Sequence, residues 1–101
     1  MNRLTVKKSD DGSQIIIEII GTFDYQVHRD FRAAYRDEDA RVPYIINLHK
    51  AEYMDSAALG MLLLLREHAG GDKSNIKIDG CRPNIRRTLE VAKFDELFTI
   101  Y

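Results

Sequence analysis

The sequence YIINLHKAEYMDSAALGMLLLLREHAGG, residues 44–71, predicts a buried strand that leads through a short polar joint into an apolar helix. The strand is indicated by three large apolar residues, Ile45, Ile46 and Leu48. Asp55 or Ser56 can cap the helix at its start, and Gly70-Gly71 can end it through a left-handed C-cap. A buried strand followed directly by a helix indicates an α/β fold.

Two further strands and a helix are predicted upstream of this stretch. Residues 4–8 alternate as in a strand, residues 10–13 are turn formers, and QIIIEIIGTFD, residues 14–24, is rich in β-branched residues. We expect these two strands to form a hairpin. The apolar period then becomes helical, with Asp24 available as the N-cap. The apolar face of this helix is formed by Val27, Phe31, Ala34 and Tyr35.

The last third of the chain repeats the alternation of strand and helix. Ile76 and Ile78 share one face of a short strand, and Pro83 stands near the first turn of another helix. The apolar face of that helix is formed by Ile85, Leu89 and Ala92. The C-terminal residues, Phe98, Ile100 and Tyr101, are expected to pack back onto the body of the protein.

The predicted order of elements is therefore β-β-α-β-α-β-α. Helices between strands favour parallel pairing with right-handed crossovers. We predict an α/β fold with a mixed, mostly parallel four-stranded sheet whose first strand is antiparallel. The length of 101 residues is enough for one such domain, over residues 1–101.

Composition restricts the class of partner. The 15 Lys and Arg residues against 16 Asp and Glu residues give a net charge of -1, which favours neither nucleic acid nor an acidic membrane surface. No apolar stretch approaches the roughly 18 residues that a membrane span needs, so we expect no direct membrane insertion. The single cysteine is typical of a reducing compartment. We therefore expect a cytoplasmic protein.

The sequence shows none of the common catalytic or cofactor motifs. Its three histidines have no metal-ligand spacing, and glycine-rich phosphate loops and the Gly-x-Ser-x-Gly elbow are absent. We predict no catalytic residue, no metal and no cofactor. Cys81 follows a predicted strand, where it is either packed as a small side chain or made reactive by the nearby Arg82, Arg86 and Arg87.

Ser56 and the apolar helix after it form the main functional candidate. A helix N-terminus favours an added anion, so a phosphate on Ser56 would not unfold the helix. Helical spacing divides the apolar residues into one set of Leu59, Leu62, Leu63 and Arg66 and another of Met61, Leu64, Leu65 and His68. Only one set can face the sheet. The other is either a docking face or is buried by neighbouring helices, and periodicity does not separate these alternatives.

These residues carry a resemblance to a known family. The stretches IIGTFD, YIINLHKAEYMDSAALGMLLLL and NIKIDGCRPNIRRTLEVAKFDELFTI resemble the STAS domain of bacterial anti-sigma factor antagonists over essentially the whole chain. The most specific feature is Asp-Ser before an apolar helix with a glycine near its start. The family often has Ser or Thr and then Gly after the acceptor serine, where this chain has Ala57 and Ala58.

The resemblance implies a phosphorylation-switched binding protein. Ser56 would be the phosphoacceptor, Asp55 would shape the loop, and Asp24 would lie near the same surface. Unphosphorylated, the protein would bind an anti-sigma factor, often a serine kinase of the histidine-kinase-like ATPase fold, and a serine phosphatase would reverse the modification. The expected partner-binding residues are Asp24, Asp55, Ser56, Ala57, Met61 and Leu64. The alternative is a STAS regulatory subunit of another assembly, such as a phospholipid-transport ABC complex or a biofilm regulator.

Overall fold

Residues 3–39 and 41–101 are described by a computed structural model of the chain. The strands are β1 (Leu4–Lys8), β2 (Ile15–Phe23), β3 (Tyr44–Met54), β4 (Ile76–Asp79) and β5 (Thr99–Ile100). The α-helices are α1 (His28–Ala33), α2 (Ser56–His68) and α3 (Pro83–Val91). Short 3-10 turns occur at Tyr25–Val27, Gly71–Lys73 and Phe94–Glu96. The predicted order of elements is confirmed from β1 to α3.

The strands form one mixed sheet in the order β1-β2-β3-β4-β5. β1 pairs with β2 in antiparallel orientation, and the pairs from β2 to β5 are parallel. The hairpin between β1 and β2 closes through a hydrogen bond of 3.0 Å from the Ser9 amide to the Gln14 carbonyl, with Gly12 at φ 70°. The predicted hairpin and the antiparallel first strand are therefore confirmed.

The prediction of four strands is wrong, because the C-terminal tail adds a fifth. Thr99 and Ile100 pair with Lys77 and Ile78, and the Tyr101 amide donates to the Ile78 carbonyl at 2.8 Å. Two residues are too few to show strand alternation in a sequence. They pair because the edge of β4 otherwise presents unpaired backbone groups.

One face of the sheet carries the core. Along β2 the side chains alternate between buried and half-buried, so that Ile15, Ile17 and Ile19 lie inside while Ile16 and Ile20 lie on the other face. The buried strand residues form a single apolar cluster with residues of all three helices, among them Phe31, Leu62 and Leu89. The helices therefore cover one face of the sheet.

The face of α2 that packs on the sheet is neither of the two predicted sets. Its core residues are Ala58, Leu62, Leu65 and Ala69, with Met61 beside them. The sheet contacts the strip between the two sets, since residues three and four apart on a helix lie on one face. Leu63 and Leu64 stay outside, with exposed fractions of 40% and 63%. The helix therefore has packed flanks and an open outer surface.

Candidate functional site

At the N-terminus of α2, the capping residue is Asp55 and not Ser56. Asp55 has extended backbone angles, φ -102° and ψ 178°, and its carboxylate Oδ1 accepts from the Ala58 amide at 3.1 Å. Ser56 is the first helical residue and is exposed. Among the residues that the structure describes, none forms a hydrogen bond with the Ser56 hydroxyl. Asp55 is therefore the cap, and the side chain of Ser56 is not needed to cap the helix.

The loop after β2 lies beside this helix start. The Asp55 amide donates to the Phe23 carbonyl at 3.2 Å, which joins the ends of the parallel strands β2 and β3. The next residue, Asp24, caps the Tyr25–Val27 turn, because its Oδ1 accepts from the Gln26 amide at 3.0 Å. The structure thus brings Asp24 and Asp55 into adjoining loops, which agrees with the position that the family resemblance implies for Asp24.

Arg3 contacts the loop that contains Asp24, which the sequence did not predict. Its guanidinium lies 3.1 Å from the Asp24 carboxylate, donates to the Gln26 side-chain carbonyl at 2.9 Å and also contacts the Thr22 carbonyl. The β1–β2 hairpin places Arg3 here, because the Ile20 amide donates to the Arg3 carbonyl at 2.8 Å. The signal in the sequence is the hairpin itself, since its register decides which β2 residues lie beside Arg3.

A groove between α1 and α2 opens beside Leu64, and we call it the α1–α2 groove. One part encloses about 200 Å³, and an adjoining part of about 400 Å³ shares Arg32, Tyr35 and Leu64 with it. The remaining lining residues are Tyr25, His28, Phe31, Arg36, Met61 and His68. Aromatic contacts stiffen the α1 wall, with the Tyr25 and His28 rings stacked at 3.9 Å between centroids.

The predicted partner-binding residues differ in their access to solvent. Ser56 and Leu64 are exposed, and Asp24, Asp55 and Ala57 are half-buried. Met61 is only 6% exposed, so it does not lie open at the surface, and its role in partner binding stays a prediction. It forms the floor of the α1–α2 groove, because helical spacing turns it toward α1 while Leu64 stands at the rim. A partner could reach Met61 only by entering the groove.

A second apolar groove lies between α2 and α3. It encloses about 420 Å³ and is lined by Leu59, Asn84, Arg87, Thr88, Val91 and Ala92. Val91 is 77% exposed, and the Asn84 side chain donates to the Glu52 carbonyl at 3.1 Å, which ties α3 to the end of β3. This groove contains none of the predicted partner-binding residues.

The side chains capable of metal or thiol chemistry are dispersed. Within residues 3–39 and 41–101, no group of three or more His, Cys, Asp or Glu residues is placed to hold a metal ion. Burial raises the pKa of the Cys81 thiol above its usual value, and the opposing effect of Arg86 is smaller. This shift favours the packed alternative for Cys81, since a reactive thiol needs a lowered pKa. No helix in the described part of the chain has the length and apolar character of a membrane span.

Comparison with known proteins identifies the family. Residues 6–99 match the family described as Mlab, STAS domain. A STAS-domain-containing protein of Pseudomonas aeruginosa strain UCBPP-PA14 is 46% identical over 99 residues, which cover 96% of this chain and 97% of that protein.

Two solved structures share the fold. The anti-sigma factor antagonist SpoIIAA in its unphosphorylated form superimposes with a TM-score of 0.81 at 14% identity, covering 97% of this chain and 87% of that one. An anti-sigma factor antagonist from Mycobacterium paratuberculosis gives 0.80 at 20% identity, covering 97% and 83%. On the family match and the curated relative, this chain belongs to the STAS domain family.

Proposed function

We propose that this STAS domain is an anti-sigma factor antagonist whose binding is switched by phosphorylation of Ser56. The observation that carries the proposal is the division of roles at the start of α2, where Asp55 makes the cap and Ser56 is exposed, with no described residue bonded to its hydroxyl. A modification of Ser56 therefore leaves the helix cap in place. The fold shared with two antagonists supports the same role.

The switch would act through charge and desolvation. Phosphoserine carries about -1.5 to -2 charges at pH 7. On Ser56 that charge would add to the Asp24 and Asp55 carboxylates in the adjoining loops, about two helical turns before the exposed leucines of α2. Burying such a charge under a partner costs free energy unless the partner compensates it. The helix itself would tolerate the anion, because first-turn amides and the helix dipole favour negative charge.

The kind of partner follows from the resemblance of the sequence. The unphosphorylated protein would bind an anti-sigma factor that is itself a serine kinase of the histidine-kinase-like ATPase fold. A serine phosphatase would restore the binding form. The domain would act in the cytoplasm as a binding module of transcription regulation, without catalytic residues of its own.

Affinity capture with phosphosite mass spectrometry tests the switch. The baits are the full chain and its Ser56→Ala and Ser56→Asp variants, expressed in the native cytoplasm. We expect the wild type and Ser56→Ala to retain a kinase-type partner, Ser56→Asp to lose it, and phosphate to appear on Ser56 of the wild type alone. The matched control is Asn75→Asp, which adds one negative charge at an exposed residue before β4. Equal capture by Ser56→Ala and Ser56→Asp would reject the switch.

A second candidate is a constitutive regulatory subunit, such as that of a phospholipid-transport ABC complex. It is favoured by the groove between α2 and α3, which offers an apolar contact without using Ser56. In that case the protein would purify with an ATPase whatever residue stands at position 56. Val91→Asp would then weaken the assembly, whereas Ser56→Asp would not.

A further inference from the structure

The outer surface of α2 is interrupted at Gly60, which has no side chain. Helical spacing aligns Ser56, Gly60, Leu63 and Glu67 on one strip, which we call the outer strip, and all four are exposed. Gly60 lies inside the helix, and a Cβ atom added there would meet no other atom within 4 Å. Glycine destabilises a helix interior relative to alanine. No described residue occupies the space beside Gly60, so the fold itself does not explain the glycine. The open space points to close approach by another molecule.

The rim of the α1–α2 groove, beside Gly60, carries an excess of positive charge. Arg32 is exposed and forms no ion pair among the residues that the structure describes. Within residues 3–39 and 41–101, the only ion pair of the Arg36 guanidinium is with the exposed Asp37, at 3.6 Å. Glu38 has its carboxylate paired with Lys8 at 3.1 Å, so it does not neutralise these arginines. The groove therefore combines an apolar floor with a rim of available positive charge.

We propose that the partner segment is an acidic amphipathic helix that crosses α2 at Gly60 and inserts an apolar side chain into the α1–α2 groove. Its carboxylates face Arg32 and Arg36, and the apolar side chain lies between Tyr35, Met61 and Leu64. A groove between two helices suits a helical ligand, and the missing Cβ at Gly60 admits its backbone. This inference rests on the proposed function, because it assigns the partner's chemistry to the same surface.

The charge component is tested with two designed peptides and the ¹⁵N-labelled full chain. Each peptide has about 16 residues, long enough to form a helix, and carries the same leucine stripe with either glutamates or lysines at its flanks. We expect the glutamate peptide to shift the amide signals of Arg32, Tyr35, Met61 and Leu64 and to bind at least about tenfold more tightly than the lysine peptide.

Substitutions on α1 distinguish an effect of charge at the groove on peptide binding from a general effect of the charge of the protein. Arg32→Glu combined with Arg36→Glu should weaken the glutamate peptide by about tenfold or more. Arg29→Glu is the matched control, because Arg29 is exposed on the same helix and does not line the groove. Equal affinity for both peptides, or equal losses in the control and the double variant, would overturn the proposal.

Gly60→Ala tests the close approach. We expect thermal unfolding at the same or a higher temperature, because alanine is the better helix former and its Cβ meets open space. Affinity for the glutamate peptide should fall by about tenfold, since an added methyl overpacks a fitted contact. Unchanged affinity would overturn the crossing at Gly60.

The failure of this inference and the failure of the switch give different results. If Ser56→Asp binds the glutamate peptide and captures the natural partner as the wild type does, the switch fails and the acidic-helix contact stands. If Ser56→Asp loses the natural partner but the glutamate peptide binds no better than the lysine peptide, the switch stands and the acidic-helix contact fails.

Discussion

Replacing Asp55 and Ser56 separately should show that adjacent polar residues have unrelated roles. Asp55→Ala removes the side chain that accepts from the Ala58 amide at 3.1 Å, whereas Ser56→Ala removes an exposed hydroxyl. Loss of an N-cap side chain costs about 1 kcal/mol of unfolding free energy. In a domain of this size, that corresponds to a fall of about 4–8 °C in melting temperature. Ser56→Ala should change the unfolding free energy by less than about 0.5 kcal/mol.

Urea unfolding followed by circular dichroism measures both effects. Asp55→Asn is the matched control, because asparagine caps helices about as well as aspartate does. Ser56→Asp should be neutral or stabilising by up to about 1 kcal/mol, because a negative charge in the first turn interacts favourably with the helix dipole. If Ser56→Ala costs as much as Asp55→Ala, Ser56 has a structural role, and phosphorylation could not leave the fold intact as we argue.

Two further substitutions test the packing of α2 and the buried end of β3. Leu62→Ala, at a fully buried site, should lower the free energy of unfolding in urea by about 2–5 kcal/mol. Leu64→Ala, at the groove rim, should lower it by less than about 0.5 kcal/mol. Similar losses for the two variants would contradict the orientation of the helix. Burial raises the pKa of Tyr44 to about 12 from 10.0, with a smaller contribution from Glu38, and its hydroxyl has no hydrogen-bond partner among the described residues. Because the unfolded chain loses this proton first, its contribution to stability should be constant below pH 10.0 and fall as the pH approaches about 12. Tyr44→Phe should reduce this loss of stability at alkaline pH and leave stability at neutral pH unchanged or higher. If the variant and the wild type lose stability equally at alkaline pH, the raised pKa of Tyr44 is not the cause.

The local structure of most elements could be predicted from the sequence, because it depends on residues close together in the chain. The turn at residues 10–13, the helical face of Val27 and Phe31, and the left-handed end of α2 at Gly70 were all predicted and are all present. The short strand β5 was not predicted. It depends on the free edge of β4, about twenty residues earlier in the chain, and on no local pattern of its own.

The candidate site likewise combines features that were predicted with contacts that depend on the tertiary structure. The family resemblance implied that Asp24 lies near Asp55 and Ser56, and in the structure these residues follow the parallel strands β2 and β3, which end at one edge of the sheet. The Arg3 contact was missed, because it depends on the hairpin register and on the reach of one side chain. The α1–α2 groove was also missed, because its two walls are separated in the chain by the whole of β3.

The sequence by itself determined the α/β class, the order of its elements and the position of the serine at a helix start, since capping, turn formation and apolar period are local properties. Only the tertiary structure decided which neighbour caps α2, which strip of that helix enters the core and which leucines remain outside. An apolar helix offers several equivalent faces, and the sheet, α1 and α3 select among them by packing. For that reason Asp-Ser predicted a helix start, and the fold assigned the cap to Asp55 and left Ser56 exposed as the first residue of α2.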